Sequence, residues 1–174
     1  GRIRNVYASG FLDADLLVTT AGISVGEHDY LRAVLDELGA EQRFWRLRMR
    51  PGAPVGFGVL HGIPWIGLPG NPVSTMVTFE LFVRPALRRL AGHRELFRPL
   101  DRCILDQGIA KSAGRRAFLR VNALRAADGA PLRDERGRVN ARLAGGQGSH
   151  VLSALASADG LAVVSEDAAA AEPG

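Results

Sequence analysis

The stretch Gly67-Leu-Pro-Gly-Asn-Pro-Val-Ser74 constrains this chain more than any other. It sets a tight turn between an apolar strand, Ile63–Leu68, and a long helical pattern whose first turn begins at Pro72. Asn71 suits the N-cap position, and proline at the first helical position gives up no hydrogen bond that the helix needs. The helix therefore starts at a defined point with its first amides free, which is where an anion can be held. That much describes the architecture of a site and leaves its ligand open.

The same strand–loop–helix unit occurs once before. Leu16–Thr20 reads as a buried strand and runs into the glycine-punctuated loop Thr20-Ala-Gly-Ile-Ser-Val-Gly-Glu-His-Asp29. Leu31, Val34, Leu35 and Leu38 then recur at helical spacing from about Tyr30 to Leu38, and Gly39 stops that helix. Residues 44–50 alternate and predict one strand, and Pro51-Gly-Ala-Pro54 turns the chain. Val55–Leu60 is a further strand joined through His61-Gly62 to Pro64–Leu68, and the helix from Pro72 reaches about Leu90 with a bend near Pro85. Repeated strand–loop–helix units predict an α/β layer on a largely parallel sheet, with ligands beyond the carboxyl ends of the strands. After Gly92 the character changes: His93–Asp101 is linker-like, and short apolar runs follow at Cys103–Leu105, Ala117–Leu124, Arg138–Leu143 and Leu161–Ser165. With a short helix at Ser149–Ala158 and a hairpin turn at Asp128-Gly129, this predicts a small, mostly β second domain. The expected division is 1–94 and 95–174.

Composition narrows the class of protein. Of the 174 residues 47% are apolar, which suffices for a folded core, and no apolar run approaches the roughly 18 residues of a membrane span. The N-terminus Gly-Arg-Ile-Arg has no apolar core of a signal peptide. A single cysteine, Cys103, excludes an intramolecular disulfide and agrees with a reducing, cytoplasmic setting. The net charge of +4 is mild and no block of like charge suggests a nucleic-acid tail. The first residue is Gly rather than Met and the last seven are Ala-Ala-Ala-Ala-Glu-Pro-Gly, so both ends are expected to be cut from a longer protein.

Several residues could carry chemistry. In one strand Arg46, Arg48 and Arg50 would line a single face about 7 Å apart, with Trp45, Leu47 and Met49 turned to the core. Such a row faces either water or a polyanion. Asp29 either caps its helix or gives a carboxylate to a hard cation such as magnesium. Ser24, between Gly22 and Gly26, either donates a hydroxyl to an anion or serves the turn. His28, His61, His93 and His150 show no metal-ligand spacing, and Cys103 reads as a small buried hydrophobe. Gln147-Gly-Ser149-His150 is either a loop tip or an arm of the second domain reaching a site.

Taken together, Thr19-Thr-Ala-Gly-Ile-Ser-Val-Gly26 with Asp29-Tyr30, Arg50-Pro-Gly-Ala-Pro54, Gly67-Leu-Pro-Gly-Asn-Pro-Val-Ser74 and Gln147-Gly-Ser-His150 resemble, in order and rough spacing, the MoeA/gephyrin E-domain family of molybdopterin molybdenumtransferases. The resemblance covers residues 14–165. It implies a partial three-layer, MogA-like molybdopterin-binding domain followed by the MoeA C-terminal β domain, whose last strand would be missing. It implies magnesium-dependent insertion of molybdate into adenylylated molybdopterin with release of AMP, by a homodimer, with a MogA-like protein as a further partner. Asp29 matches the acidic residue needed for activity and metal. Arg46 and Arg50 stand where the family usually has lysines linked to substrate, whereas Arg48 has no strong counterpart. Pro69 and Pro72 match the prolines of the signature loop, and Gly70, Asn71 and Ser74 go with them. Gly22, Ser24 and Gly26 match the first loop, and Ser149 is the serine of the last domain.

Three departures accompany the match. The family's Gly-Gly is Ala21-Gly22, its lysine in Pro-Gly-Lys-Pro is Ala53, and an aspartate expected before the first strand is absent. A MogA-like adenylyltransferase, a non-catalytic gephyrin-like scaffold and an inactive fragment are the alternatives. A β tail such as residues 96–174 and the Ser24-Val25-Gly26 form of the loop favour MoeA over MogA.

Overall fold

The computed structural model describes residues 13–22, 30–111 and 113–171. Along the chain come β1 (Leu17–Thr20), α1 (Tyr30–Glu37), β2 (Glu41–Phe44), β3 (Met49–Arg50), β4 (Gly56–Leu60) and β5 (Ile63–Leu68). A helix in three pieces follows: α2 (Pro72–Thr78), a π-helical segment (Phe79–Val83) and α3 (Arg84–Leu90). Then come β6 (Cys103–Leu105), β7 (Ile109–Ala110), β8 (Arg116–Ala123), β9 (Val139–Leu143), α4 (Leu152–Ala156), β10 (Gly160–Val164) and β11 (Ala170–Ala171). These elements divide into two compact units. One runs to Leu47 and resumes over Gly52–Phe97, while the other joins Arg48–Pro51 to the chain from Arg98 onward.

The first unit has a four-stranded sheet of order β1-β5-β4-β2. Only β1 and β5 run parallel, from Leu17 opposite Trp65 to Thr20 opposite Leu68. The β5–β4 and β4–β2 pairs are antiparallel, so the sheet is mixed rather than largely parallel. The cause is the His61-Gly62 turn. Leu60 pairs with Ile63 across it, and both turn residues have positive φ, 51° and 84°. That is the backbone of a two-residue hairpin, which forces its strands antiparallel.

Alternation along β5 gives the sheet two apolar faces. Trp65 packs with Leu60 and with Leu31 and Leu35 of α1. Ile66 and Leu68 point the other way, against Val83, Phe79 and Ala86 of the long helix. The result is a helix–sheet–helix sandwich, in which each fully buried side chain such as Leu35 or Val83 contributes roughly 1.5–3 kcal/mol. The long helix does not simply bend at Pro85. Its backbone widens into the π segment just ahead, where the Arg84 amide bonds to the Phe79 carbonyl five residues back. The wider turn relieves the crowding that the proline ring would impose.

The predicted strand over residues 44–50 is two short strands. β2 ends at Phe44 after a register shift, Trp45 stacks on Trp65 at 5.5 Å between centroids, and the Leu47 amide bonds to the Ala53 carbonyl. Met49, 4% exposed, and Arg50 instead join the second unit by pairing in parallel with Arg116 and Ala117 of β8. Trp45 and Met49 thus belong to different units, and no continuous row of Arg46, Arg48 and Arg50 exists.

The second unit has a five-stranded sheet of order β10-β8-β9-β6, with β3 also paired to β8, and a two-stranded β7–β11 sheet. Ala117, Leu119 and Val121 alternate along β8 and pack with Leu105, Ala141 and Ala162. The Asp128-Gly129 turn is present, closed by the Ala126 amide on the Ala130 carbonyl. Cys103, expected to be buried, is exposed: it opens an edge strand, β6, whose buried residue is Leu105. Desolvation and then the Asp101 carboxylate raise its thiol pKa, which disfavours the thiolate.

Candidate functional site

The carboxyl ends of β1 and β5 lie side by side, and a loop leaves each of them. The Ala21 amide donates to the Leu68 carbonyl at 3.1 Å, which ties the first loop to the second. A Cβ on Gly70 would stand 3.0 Å from the Ala21 Cβ, so glycine is what permits this closeness. The structure therefore brings Gly22 of the first loop and Pro69-Gly70-Asn71 of the second into one neighbourhood. Ser24, Gly26 and Asp29 lie outside the described residues.

The second loop is held from within. The Thr75 hydroxyl shares its proton between the carbonyls of Pro69 and Asn71, the latter at 2.9 Å. The Thr78 hydroxyl does the same for Ser74, at 2.7 Å, and Thr75, at 3.1 Å. Asn71 occupies the N-cap position with extended φ and ψ of −72° and 124°, yet its side chain makes no capping bond. Its Oδ1 is buried with no hydrogen-bond partner among the described residues. A buried acceptor in that state costs about 1–3 kcal/mol, which a bound donor would offset. Pro69 and Ser74 are buried, Ser74 at 6% exposure, whereas Gly70 and Pro72 face outward.

Arg46 is exposed in the first unit, and Arg50 is exposed at the end of β3 in the second. The Arg50–Pro51 peptide is cis. Ser149, half-buried, belongs to the second unit, where its loop is folded around a residue that sequence reasoning missed. Arg120 of β8 is 1% exposed and donates through one terminal nitrogen to the Gly146 and Gly148 carbonyls, at 3.0 and 3.1 Å. Gln147 completes the clasp: its Oε1 accepts from the Arg120 amide at 2.9 Å, and its Nε2 donates to the Arg120 and Gly145 carbonyls. Burial lowers the Arg120 pKa, and its Nε has no partner among the described residues. The signal that could have found it is the run Phe118-Leu119-Arg120-Val121, a charge inside a strand that is apolar at both parities.

Among the described residues no group of three or more His, Cys, Asp or Glu could hold a metal ion. No helix there is long and apolar enough to cross a membrane.

Comparison with known proteins agrees with this fold. Residues 1–89 match the family model described as "Probable molybdopterin binding domain", and residues 102–174 match "MoeA C-terminal region (domain IV)". A molybdopterin molybdenumtransferase of Haemophilus influenzae is 36% identical over 155 residues, which are 88% of this chain and 36% of that protein. Molybdopterin molybdenumtransferase 2 of Mycobacterium tuberculosis is 36% identical over 172 residues, 96% of this chain and 39% of that one. The chain thus spans under two fifths of the length of these relatives. Among solved structures, a molybdopterin biosynthesis MoeA protein from Pyrococcus horikosii superimposes with a TM-score of 0.70 at 25% identity, over 99% of this chain and 38% of that one. The chain belongs to the MoeA/gephyrin E-domain family, of which it carries the C-terminal part.

Proposed function

We propose that the protein containing this chain works in molybdenum cofactor biosynthesis as a molybdopterin molybdenumtransferase, inserting molybdate into adenylylated molybdopterin with release of AMP. One observation carries the reading: the abutting loops after β1 and β5, sealed by the Ala21–Leu68 bond and the Gly70 contact. They make the carboxyl edge of a parallel strand pair, which is where α/β folds receive ligands. The match to a MoeA C-terminal region over residues 102–174 supports this over a MogA-like adenylyltransferase.

The division of labour follows from the chemistry of each group. Gly22, Gly26, Pro69 and Gly70 let the substrate approach the backbone closely, with Ser24 and Ser74 as hydroxyl donors. The uncapped amides after Asn71 and Pro72 face anionic oxygens, while the buried Asn71 Oδ1 accepts from a substrate N–H. Arg46 and Arg50 neutralise phosphate and molybdate oxygens, and Ser149, on its Arg120-braced loop, adds one more donor. Each such contact is worth more where water is excluded. Magnesium, when bound, withdraws charge from phosphoanhydride oxygens. Asp29 is the residue that would hold it, as a carboxylate suited to a hard cation. The protein acts in the cytoplasm as a homodimer, with a MogA-like protein as the supplier of its adenylylated substrate.

Asp29→Asn in the parent protein should abolish molybdate-dependent AMP release while substrate binding stays measurable by calorimetry. Normal turnover by that variant would remove Asp29 from the mechanism.

A further inference from the structure

The second unit holds a cationic cleft that the matched motifs leave unexplained apart from one residue. Arg50, Lys111, Arg115 and Ala117 line a cavity of about 60 Å³. The three cations come from two segments that the fold draws together. Arg50 is opposite Ala117 in the β3–β8 ladder, and Lys111 and Arg115 sit on the connection from β7 to β8. The Lys111 ammonium donates to the Arg115 carbonyl at 2.9 Å, and its amide donates to the Ala169 carbonyl at 3.0 Å. These bonds tie Lys111 to Arg115 and to Ala169. Ala117, 5% exposed, contributes nothing beyond a methyl group and so leaves the space open.

Three like charges around one cleft repel each other, and a surface with room to spread its arginines has no need to bear that. Glu166 is engaged by Arg116, which takes both its carboxylate oxygens at 2.8 and 3.2 Å. Among the described residues no carboxylate pairs with Arg50 or Arg115. Two guanidinium forks and an ammonium suit the oxygens of a single dianion. The volume is several times the roughly 10–15 Å³ that one water needs.

We propose that Arg50, Lys111 and Arg115 form an oxyanion subsite that takes the phosphoryl group of a phosphorylated small molecule. The subsite shares Arg50 with the function proposed above. It rests on that reading for the identity of the phosphorylated molecule and not for the anion binding itself.

Isothermal titration of the 174-residue chain with inorganic phosphate, pyrophosphate, AMP and tungstate tests this. The phosphoryl ligands should bind with an affinity that falls as salt rises. Arg115→Gln and Lys111→Gln should each weaken binding by at least about tenfold with the thermal midpoint retained. Arg89→Gln, an exposed arginine of α3 in the first unit, should leave it unchanged. Equal binding by a folded Arg115→Gln variant overturns the proposal, as does a preference for tungstate over every phosphate. Phosphate binding lost in Arg115→Gln, in a parent without molybdate-dependent turnover, would fault the functional reading alone. Turnover together with binding indifferent to Arg115→Gln would fault the subsite alone.

Discussion

A guanidinium that is 1% exposed must have its charge met by something, and at Arg120 the backbone carbonyls of Gly146 and Gly148 meet it, while Gln147 holds the Arg120 main chain. The arrangement folds a glycine-rich loop, 145–149, against the sheet and thereby fixes where Ser149 stands. Gln147 makes three hydrogen bonds there, to the Arg120 amide, the Arg120 carbonyl and the Gly145 carbonyl. Gln147→Ala should therefore destabilise the chain by about 1–3 kcal/mol in urea denaturation, since it strands the amide and the carbonyl of the buried Arg120. A cost below about 0.5 kcal/mol would show that the loop is held some other way. The turn itself was legible in the sequence as Gln147-Gly-Ser-His150. Its anchor was not, because an arginine within β8 sits at a parity that a half-solvated strand would give to water. The Asn71 position was legible too, but its side chain leaves the cap unmade, and no sequence pattern distinguishes a capping asparagine from an orphaned one.

At the scale of elements, most boundaries followed from local chemistry. Gly39 and Gly92 end their helices, as expected, with the bonds of Schellman turns, the Ala40 amide reaching Leu35 and the His93 amide reaching Arg88. What failed was the inference from one element to the next. The hairpin at His61-Gly62 was readable, yet strand–loop–helix repetition alone suggested a parallel sheet. The alternation over 44–50 was real, yet Trp45 and Met49 serve two cores, and periodicity carries no label saying which. Ion pairs join several elements of the second unit: Arg133 to Asp101, Arg116 to Glu166, Arg125 to Asp159 and Arg138 to Asp134. Side-chain hydrogen bonds from Arg133, Arg138 and Arg125 lower the pKa of Asp101, Asp134 and Asp159. For Glu166 the largest cause is a backbone hydrogen bond, followed by the bond from Arg116.

Carboxyls depressed on folding add stability above their unfolded values, about 3.9 for Asp and 4.3 for Glu, and lose it as pH falls through the folded ones. Asp101 and Asp159 are exposed and Asp134 and Glu166 are half-buried, so each contribution is small. The urea midpoint of the second unit should stay flat from neutral pH to about 5 and decline below about 4. Both tryptophans, Trp45 and Trp65, lie in the first unit, so far-UV dichroism should register the acid loss before tryptophan fluorescence does. A midpoint that rises on acidification would contradict this assignment.

For the whole molecule, the sequence pattern reached further than its own length. A handful of loop residues identified a family whose Haemophilus influenzae and Mycobacterium tuberculosis members are more than twice as long as this chain, and the fold agrees with that family over both units. The loops were legible because tight turns, close backbone approaches and helix starts each admit few residue types. The cationic cleft at Arg50, Lys111 and Arg115 was not, since it forms from segments that only the β3–β8 pairing draws together. The proposed activity is that of the complete protein, and its assay tests the central claim most directly. Purified parent, supplied with adenylylated molybdopterin, should release AMP in proportion to added molybdate, with the 174-residue chain run alongside. A folded parent that releases no AMP, or releases it at the same rate without molybdate, would contradict the account.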